Sequence, residues 1–213
     1  MKKIVISILT IGFLLASCNQ QEETVQQEEK TVIKNCLYSY NSTQSELKFT
    51  AYKFLSKAGV GGTFTTIQVE GPETAGDAKS LVEQLSFKIP TSSVETNDPG
   101  RNKKIDSLFF GSLIATEYIS GKVLNLGEEG KATLEITMNN ISQEVEGTYD
   151  LTDNRFSFNT EIDVNNWQAE EGLTALNEAC KDLHTDIQNG DTESKLWPDV
   201  TISFSTKLTE TCD

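Results

Sequence analysis

The sequence predicts an all-β domain, a closed antiparallel barrel of about eight strands with one or two short helices. Three observations point there. Short runs with apolar residues on alternate positions recur along the body of the chain, separated by turn-forming residues. Only two stretches carry helical spacing, too few to cover a large sheet. Each strand has one apolar and one polar face, so curling the sheet until the apolar set points inward buries that set and removes the open edges. A two-sheet sandwich satisfies the same alternation and stays open as the competing architecture.

The runs are read in order. In Leu47-Lys48-Phe49-Thr50-Ala51 the apolar residues fall on alternate positions, and Leu85-Ser86-Phe87-Lys88-Ile89 repeats the pattern before Pro90 ends it. Ala132, Leu134, Ile136 and Met138 alternate with polar neighbours, and Val145, Gly147, Tyr149 and Leu151 follow across Asn139-Asn140, which predicts a hairpin. Phe156, Phe158, Thr160 and Ile162 form a further strand, and Val200, Ile202 and Phe204 the last. The two helical stretches are Arg101 to Phe110, with Ile105, Leu108 and Phe109 on one side, and Glu170 to Leu183, with Leu173, Leu176, Cys180 and Leu183 on an apolar stripe. Trp167 and Trp197 flank the second helix and its loop, placed to cap an end of the barrel with their N–H groups paired. That helix reads as a plug in the barrel end, with a lid over its interior as the alternative.

Ahead of the strands, Lys2 and Lys3 precede the apolar run Ile4 to Leu15, and Leu15-Ala16-Ser17-Cys18 follows. A charged start, an apolar stretch too short to span a bilayer and small residues before a cleavage point describe a secretory signal over residues 1–17. The tetrapeptide resembles a bacterial lipobox. The resemblance implies that Cys18 becomes the first mature residue, carries acyl chains, and anchors the protein in the bacterial cell envelope, facing the periplasm or the cell surface. At about 0.8 kcal/mol per buried methylene, two or three chains hold firmly where one holds reversibly. An ordinary cleaved signal with an incidental Cys is the alternative.

Residues 18–35 read as a flexible acidic tether, because Asn19 to Lys30 is rich in Gln and Glu and nearly devoid of apolar side chains. A coil of about 17 residues would hold the following domain, 36–213, roughly 20–25 Å from the lipid surface. Glu22, Glu23, Glu28 and Glu29 resemble the acidic surface-export signal of some bacterial phyla; a solvated spacer explains them equally.

Lys and Arg number 18 against 32 Asp and Glu, for a formal net charge of −14. Loss of Lys2 and Lys3 with the signal makes it more negative still. So acidic a chain excludes nucleic acid as a natural partner, and argues against adsorption to anionic lipid. With Cys18 assigned to lipid, Cys36, Cys180 and Cys212 remain. If the first and last strands are neighbours, Cys36 and Cys212 sit side by side and form the preferred disulfide. Cys180 fits its apolar stripe as a small buried hydrophobe, although a bridge from it to either of the others stays open.

Several segments together resemble the YceI-like polyisoprenoid-binding family. They are Phe49-Thr50-Ala51-Tyr52-Lys53-Phe54 with Gly59-Val60-Gly61-Gly62-Thr63-Phe64, Phe87-Lys88-Ile89-Pro90, Ser93-Val94-Glu95-Thr96-Asn97-Asp98, Arg101-Asn102-Lys103-Lys104-Ile105, Leu108-Phe109-Phe110, and Trp197-Pro198-Asp199-Val200-Thr201-Ile202. Their shared order and spacing carry the resemblance, from about Leu37 to Leu208. Many members place His in the first two strands. Here those positions read Tyr, Lys and Phe, and His184 is the one histidine, so no role transfers from them.

The resemblance implies a lipocalin-like barrel whose interior holds a long isoprenoid or quinone-type lipid, with no other cofactor. On their own terms, Phe49, Phe64, Phe87, Phe156, Phe158 and Phe204 fall on the apolar registers and are the candidate pocket lining; packing against one another as plain core is the alternative. The basic cluster Arg101, Lys103 and Lys104 is the candidate head-group contact, against the ordinary reading of a solvated helix face.

Catalytic and metal-binding chemistry find no constellation. The chain has no Gly-x-Ser-x-Gly elbow, a single His, and no Cys pair at ligand spacing. Three readings remain: a tethered lipid-binding protein with an apolar tunnel, an envelope interaction or stress-protective module with a filled barrel, and a glycan-acting hydrolase with two carboxylates across an open cleft.

Overall fold

The expected strands form, but the sheet they build does not close. The computed structural model describes residues 35–213; the signal, Cys18 and all but the last residue of the tether lie outside the described residues. The strands are β1 Cys36–Ser39, β2 Ser45–Lys53, β3 Ala58–Phe64, β4 Gln68–Glu70, β5 Ser86–Pro90, β6 Val94–Glu95, β7 Tyr118–Leu126, β8 Lys131–Met138, β9 Ile141–Thr152, β10 Arg155–Asp163, β11 Leu196–Lys207 and β12 Thr209–Cys212. Ten of them make one curled antiparallel sheet in the order β4-β5-β7-β8-β9-β10-β11-β2-β3-β6, and β1 pairs with β12 in a second sheet.

The expected closed barrel of about eight strands is therefore corrected to an open, curled sheet of 10 strands. The reason lies at its two edges. β4 has 3 residues and is cut off by Gly71-Pro72; β6 has 2, before Asn97 takes a left-handed φ of 59° and Pro99 starts a helix. Neither edge is long enough to pair with the other. Short edge strands also limit edge-to-edge association with other chains.

The middle of the sheet follows the alternation closely. On β8, Ala132, Leu134, Ile136 and Met138 are all buried, and the β8–β9 hairpin turns through Asn139 and Asn140 at φ 54° and 58°. Asp153 and Asn154 make the same kind of turn between β9 and β10, at φ 51° and 60°. Two positive φ values in a two-residue loop match the right-handed twist of the flanking strands, and Asn and Asp tolerate them best after Gly. Pro198 sits in the bulge of β11 between Leu196 and Val200, where a missing N–H breaks no ladder bond.

The first and last strands are neighbours, as the cysteine positions suggest. Cys36 pairs in register with Cys212 and is disulfide-bonded to it across a separation of 176 residues. Cys180 is a buried free thiol, which removes the alternative bridges.

Three α-helices accompany the sheet: α1 Ala78–Val82, α2 Pro99–Lys104 and α3 Glu170–Ala179. α1 is an addition to the sequence reading; Asp77 caps it by accepting from the Ser80 N–H at 2.8 Å. α2 runs into a π-helical turn, Ile105–Phe109, so the expected helix over Arg101 to Phe110 is present in two geometries. α3 stops at Ala179, earlier than expected. Leu183 consequently leaves the apolar stripe and stands 60% exposed on a following 3-10 turn, while Cys180 stays buried.

Candidate functional site: an apolar cavity on the inner face of the curled sheet

The inward-facing residues of the strands do not fill the space they enclose. A cavity of about 250 Å³ remains, and Phe49, Phe64, Phe87, Phe156, Phe158 and Phe204 all line it. Ile105, Phe109 and Phe110 of the π-helical region and Leu173 and Leu176 of α3 complete its wall. α3 can approach so closely because Gly172 has no side chain: a Cβ there would lie 2.6 Å from the Phe109 carbonyl oxygen.

The walls are apolar and the few polar atoms in them are paired. The hydroxyls of Tyr40 and Thr206 lie 2.7 and 2.8 Å from Ser45 Oγ. Trp167 donates its Nε1–H to the Ile136 carbonyl at 3.0 Å, and Trp197 donates to the Phe54 carbonyl at 2.7 Å, so both indoles line the cavity with their N–H groups satisfied. Burial pushes the Tyr40 hydroxyl above the ordinary tyrosine range, which keeps it neutral. Lys48 borders the cavity, but its ammonium pairs with Glu46 at 2.7 Å. Among the described residues the lining has no carboxylate. Such a surface offers contact area without directional demands, which suits a hydrocarbon chain.

A cross-strand device keeps this space open. Phe49 on β2 stands opposite Gly62 on β3, and Phe87 on β5 opposite Gly121 on β7. In each pair the phenyl ring occupies the place where the glycine's Cβ would be: 2.7 Å from Phe49 Cε1 at Gly62 and 2.5 Å from Phe87 Cζ at Gly121. Phe158 on β10, in register with Tyr149, leans diagonally over Gly147 on β9, whose Cβ would lie 2.5 Å from its Cε2. The rings therefore lie across a neighbouring strand instead of standing in the interior. Sequence reading places these phenylalanines on the inner face but misses the glycines, whose significance appears only once the register is known.

Arg101, Lys103 and Lys104 take different positions. None of the three lines the cavity. Arg101 reaches the Thr96 carbonyl at 3.5 Å and Asp98 at 3.7 Å, Lys103 is exposed, and Lys104 is half-buried immediately before Ile105. His184 lies near Lys104 and Lys53: burial first, then these two cations, hold its imidazole below the usual histidine range. Its Nδ1 is 2.9 Å from Asn177 Oδ1.

Comparison with known proteins fits this architecture. Among solved structures, a polyisoprenoid binding domain from Saccharophagus degradans implicated in plant cell wall breakdown is similar, at 15% identity and a TM-score of 0.58, over 82% of this chain and 98% of that one. Burkholderia cenocepacia BcnA is similar at 11% identity and a TM-score of 0.53, over 80% and 99%. No curated protein matches the chain. At these identities the likeness speaks for the fold. The sequence itself matches the YceI-like domain over residues 38–208, which span nearly all the strands and the whole cavity, and the chain therefore belongs to the YceI-like family.

Proposed function

We propose that this protein is a membrane-tethered binding protein for an isoprenoid or a similar long apolar lipid, quinone-type lipids included, held in the cavity of the curled sheet. The observation that carries the reading is the cavity itself: about 250 Å³, walled by aromatic and aliphatic side chains, with the nearby polar groups already paired within the protein. Each methylene transferred from water into such a space contributes about 0.8 kcal/mol. Phe49, Phe64, Phe87, Phe156, Phe158 and Phe204 are the proposed contacts. The polyisoprenoid-binding description of the Saccharophagus domain supports the same ligand class.

The proposal is of binding, without catalysis. A hydrolase reading needs two carboxylates facing a cleft, and the lining offers none among the described residues. A filled-barrel interaction module needs a core without such a space. Attachment through acylated Cys18 and a place in the bacterial envelope belong to the proposal and rest on the sequence of residues 1–18. Arg101, Lys103 and Lys104 enter it as head-group candidates only through their position one turn before Ile105.

Titration of the full chain in mild detergent with a polyprenyl alcohol, read by tryptophan fluorescence, tests the binding claim. Trp167 and Trp197 both line the cavity, so saturable quenching at one lipid per protein is expected. A flat response, with no retention of the lipid on gel filtration, would contradict it.

A further inference from the structure

We propose that the end of the cavity beside Trp197 is a subsite for an anionic head group, a phosphate or diphosphate ester terminating the apolar chain. The inference rests on the lipid-binding reading above and adds the chemistry of the lipid's polar end.

The geometry of β2 points to it. Leu47, Phe49 and Ala51 line the cavity on alternate positions, and the next residue on that face is Lys53. The apolar register of this strand thus ends in an ammonium group. Lys53 pairs in register with Leu196 of β11, itself a lining residue, and its Nζ donates to the Leu183 carbonyl at 2.8 Å, just beyond α3. Lys195 precedes Leu196, and its Nζ lies 4.7 Å from the centre of the Trp197 ring. Its backbone is tied in on both sides, donating to the His184 carbonyl at 2.9 Å and accepting from the Phe54 N–H at 3.0 Å. Lys104 stands immediately before Ile105, another lining residue, and acts electrostatically on His184 together with Lys53.

Lys53, Lys195 and the half-buried His184 are therefore linked to one another beside the Trp197 end of the cavity, just outside its lining, with Lys104 in electrostatic reach of His184. In a chain of net charge −14 this is a local reversal of sign. Two carboxylates of the neighbouring segments are already engaged. Asp199 holds Lys57 at 2.7 Å, and Asp191 accepts from the backbone N–H groups of Leu55 at 3.3 Å and Asp186 at 3.0 Å. Among the described residues, Lys53, Lys104 and Lys195 have no carboxylate partner within salt-bridge distance. Ammonium groups without a carboxylate partner, beside an apolar wall, suit phosphate oxygens, with charged donors presented where water is partly excluded.

The test compares a polyprenyl alcohol with its monophosphate of equal length on the full chain in neutral detergent, beside Lys195→Met and Lys53→Met/Lys195→Met. Methionine keeps an apolar stem and removes the charge. Lys195→Met breaks no side-chain hydrogen bond, so it keeps the test valid if loss of the Lys53 bond to Leu183 perturbs folding. The expected result is a preference of about tenfold for the monophosphate, reduced in the single variant and abolished in the double, with affinity for the alcohol unchanged. Equal affinity of the unaltered protein for both lipids would overturn the subsite while leaving lipid binding intact. A preference that survives in the double variant would overturn it by placing the head group elsewhere. Displacement of the monophosphate lipid by equimolar inorganic phosphate would show an anion site independent of the cavity and overturn it as well. Failure of both lipids to bind would remove the cavity reading and this inference together.

Discussion

Gly62→Ala is the sharpest perturbation of the proposed cavity, because the added methyl meets only side chains, the Phe49 ring above all and the Thr96 methyl, and no backbone atom. A Cβ at Gly62 would lie 2.7 Å from Phe49 Cε1 and 2.9 Å from Thr96 Cγ2, both of them side-chain atoms. Ordinary carbon contacts run at about 3.5–4.0 Å, so the Phe49 ring has to retreat by about 1 Å, away from β3 and toward the cavity. In a filled core this overpacking would cost about 1–3 kcal/mol. Here there is space to receive the ring, and replacing a strand glycine returns about 0.5–1 kcal/mol of backbone entropy. The expected change in unfolding free energy is therefore within about 1 kcal/mol of zero. Ligand should suffer instead. Losing contact with one or two methylene groups at about 0.8 kcal/mol each corresponds to a roughly fourfold to fifteenfold weaker dissociation constant for a polyprenyl alcohol. Adding Phe49→Leu, which shortens the displaced side chain, should restore most of the affinity. Urea unfolding and fluorescence titration on the same samples provide the two numbers. A loss of 3 kcal/mol or more with unchanged affinity would refute the reasoning, since it would mean a tightly filled interior whose rings do not wall a ligand.

Other perturbations separate the remaining parts of the account. Gly147→Ala should be far more damaging than Gly62→Ala, because its Cβ meets the Asn159 carbonyl oxygen at 2.6 Å as well as the Phe158 ring, and a backbone atom cannot swing aside; a urea midpoint like that of the unaltered protein would contradict the close approach of β9 and β10. Opening the Cys36–Cys212 disulfide by double Ser substitution frees a loop of 176 residues, and the stability lost should be about 2–5 kcal/mol. Lipid affinity should survive that change, since no residue of β1 or β12 lines the cavity; simultaneous loss of affinity in a folded variant would show that the second sheet shapes the site. His184 is held below its usual value of 6.5, chiefly by burial. The unfolded chain then takes up this proton more readily than the folded one, so stability falls as pH drops through about 6.5, until the folded-state value is passed and the loss is complete. His184→Gln should flatten that step in chemical unfolding at pH 7.5, 6.5 and 5.5, and an identical step in the variant would assign it to other groups.

The sequence disclosed the strands whose pattern is strict. β8 and β10 are legible because every second residue is apolar, Thr160 excepted, and each hairpin between β8 and β10 carries Asn or Asp at both turn positions. β7 is not, and the cause is local. A register shift between Val123 and Asn125 breaks the alternation, leaving Leu124 exposed and Leu126 buried three positions after Val123. Closure was overestimated because it depends on β4 and β6, which are too short for any periodicity to report. All six phenylalanines line the cavity, yet in sequence an inward Phe reads the same in a filled core and in a cavity. What distinguishes the two is the glycine opposite Phe49 or Phe87, visible only through strand pairing. Lys53 escaped for a related reason: in sequence it follows an aromatic residue in an ordinary strand, and its meaning comes from the three lining residues that precede it on the same face.

Identification of a co-purified lipid tests the central claim most directly. The full chain, extracted in mild detergent, would be examined by native mass spectrometry, and the bound fraction extracted into organic solvent and identified. The account predicts one long isoprenoid-type or comparably apolar lipid per protein, retained by the unaltered protein and lost when Phe204, in the cavity wall, is changed to Asp. A folded protein that carries no lipid, and takes up neither added polyprenyl lipids nor quinones, would contradict it.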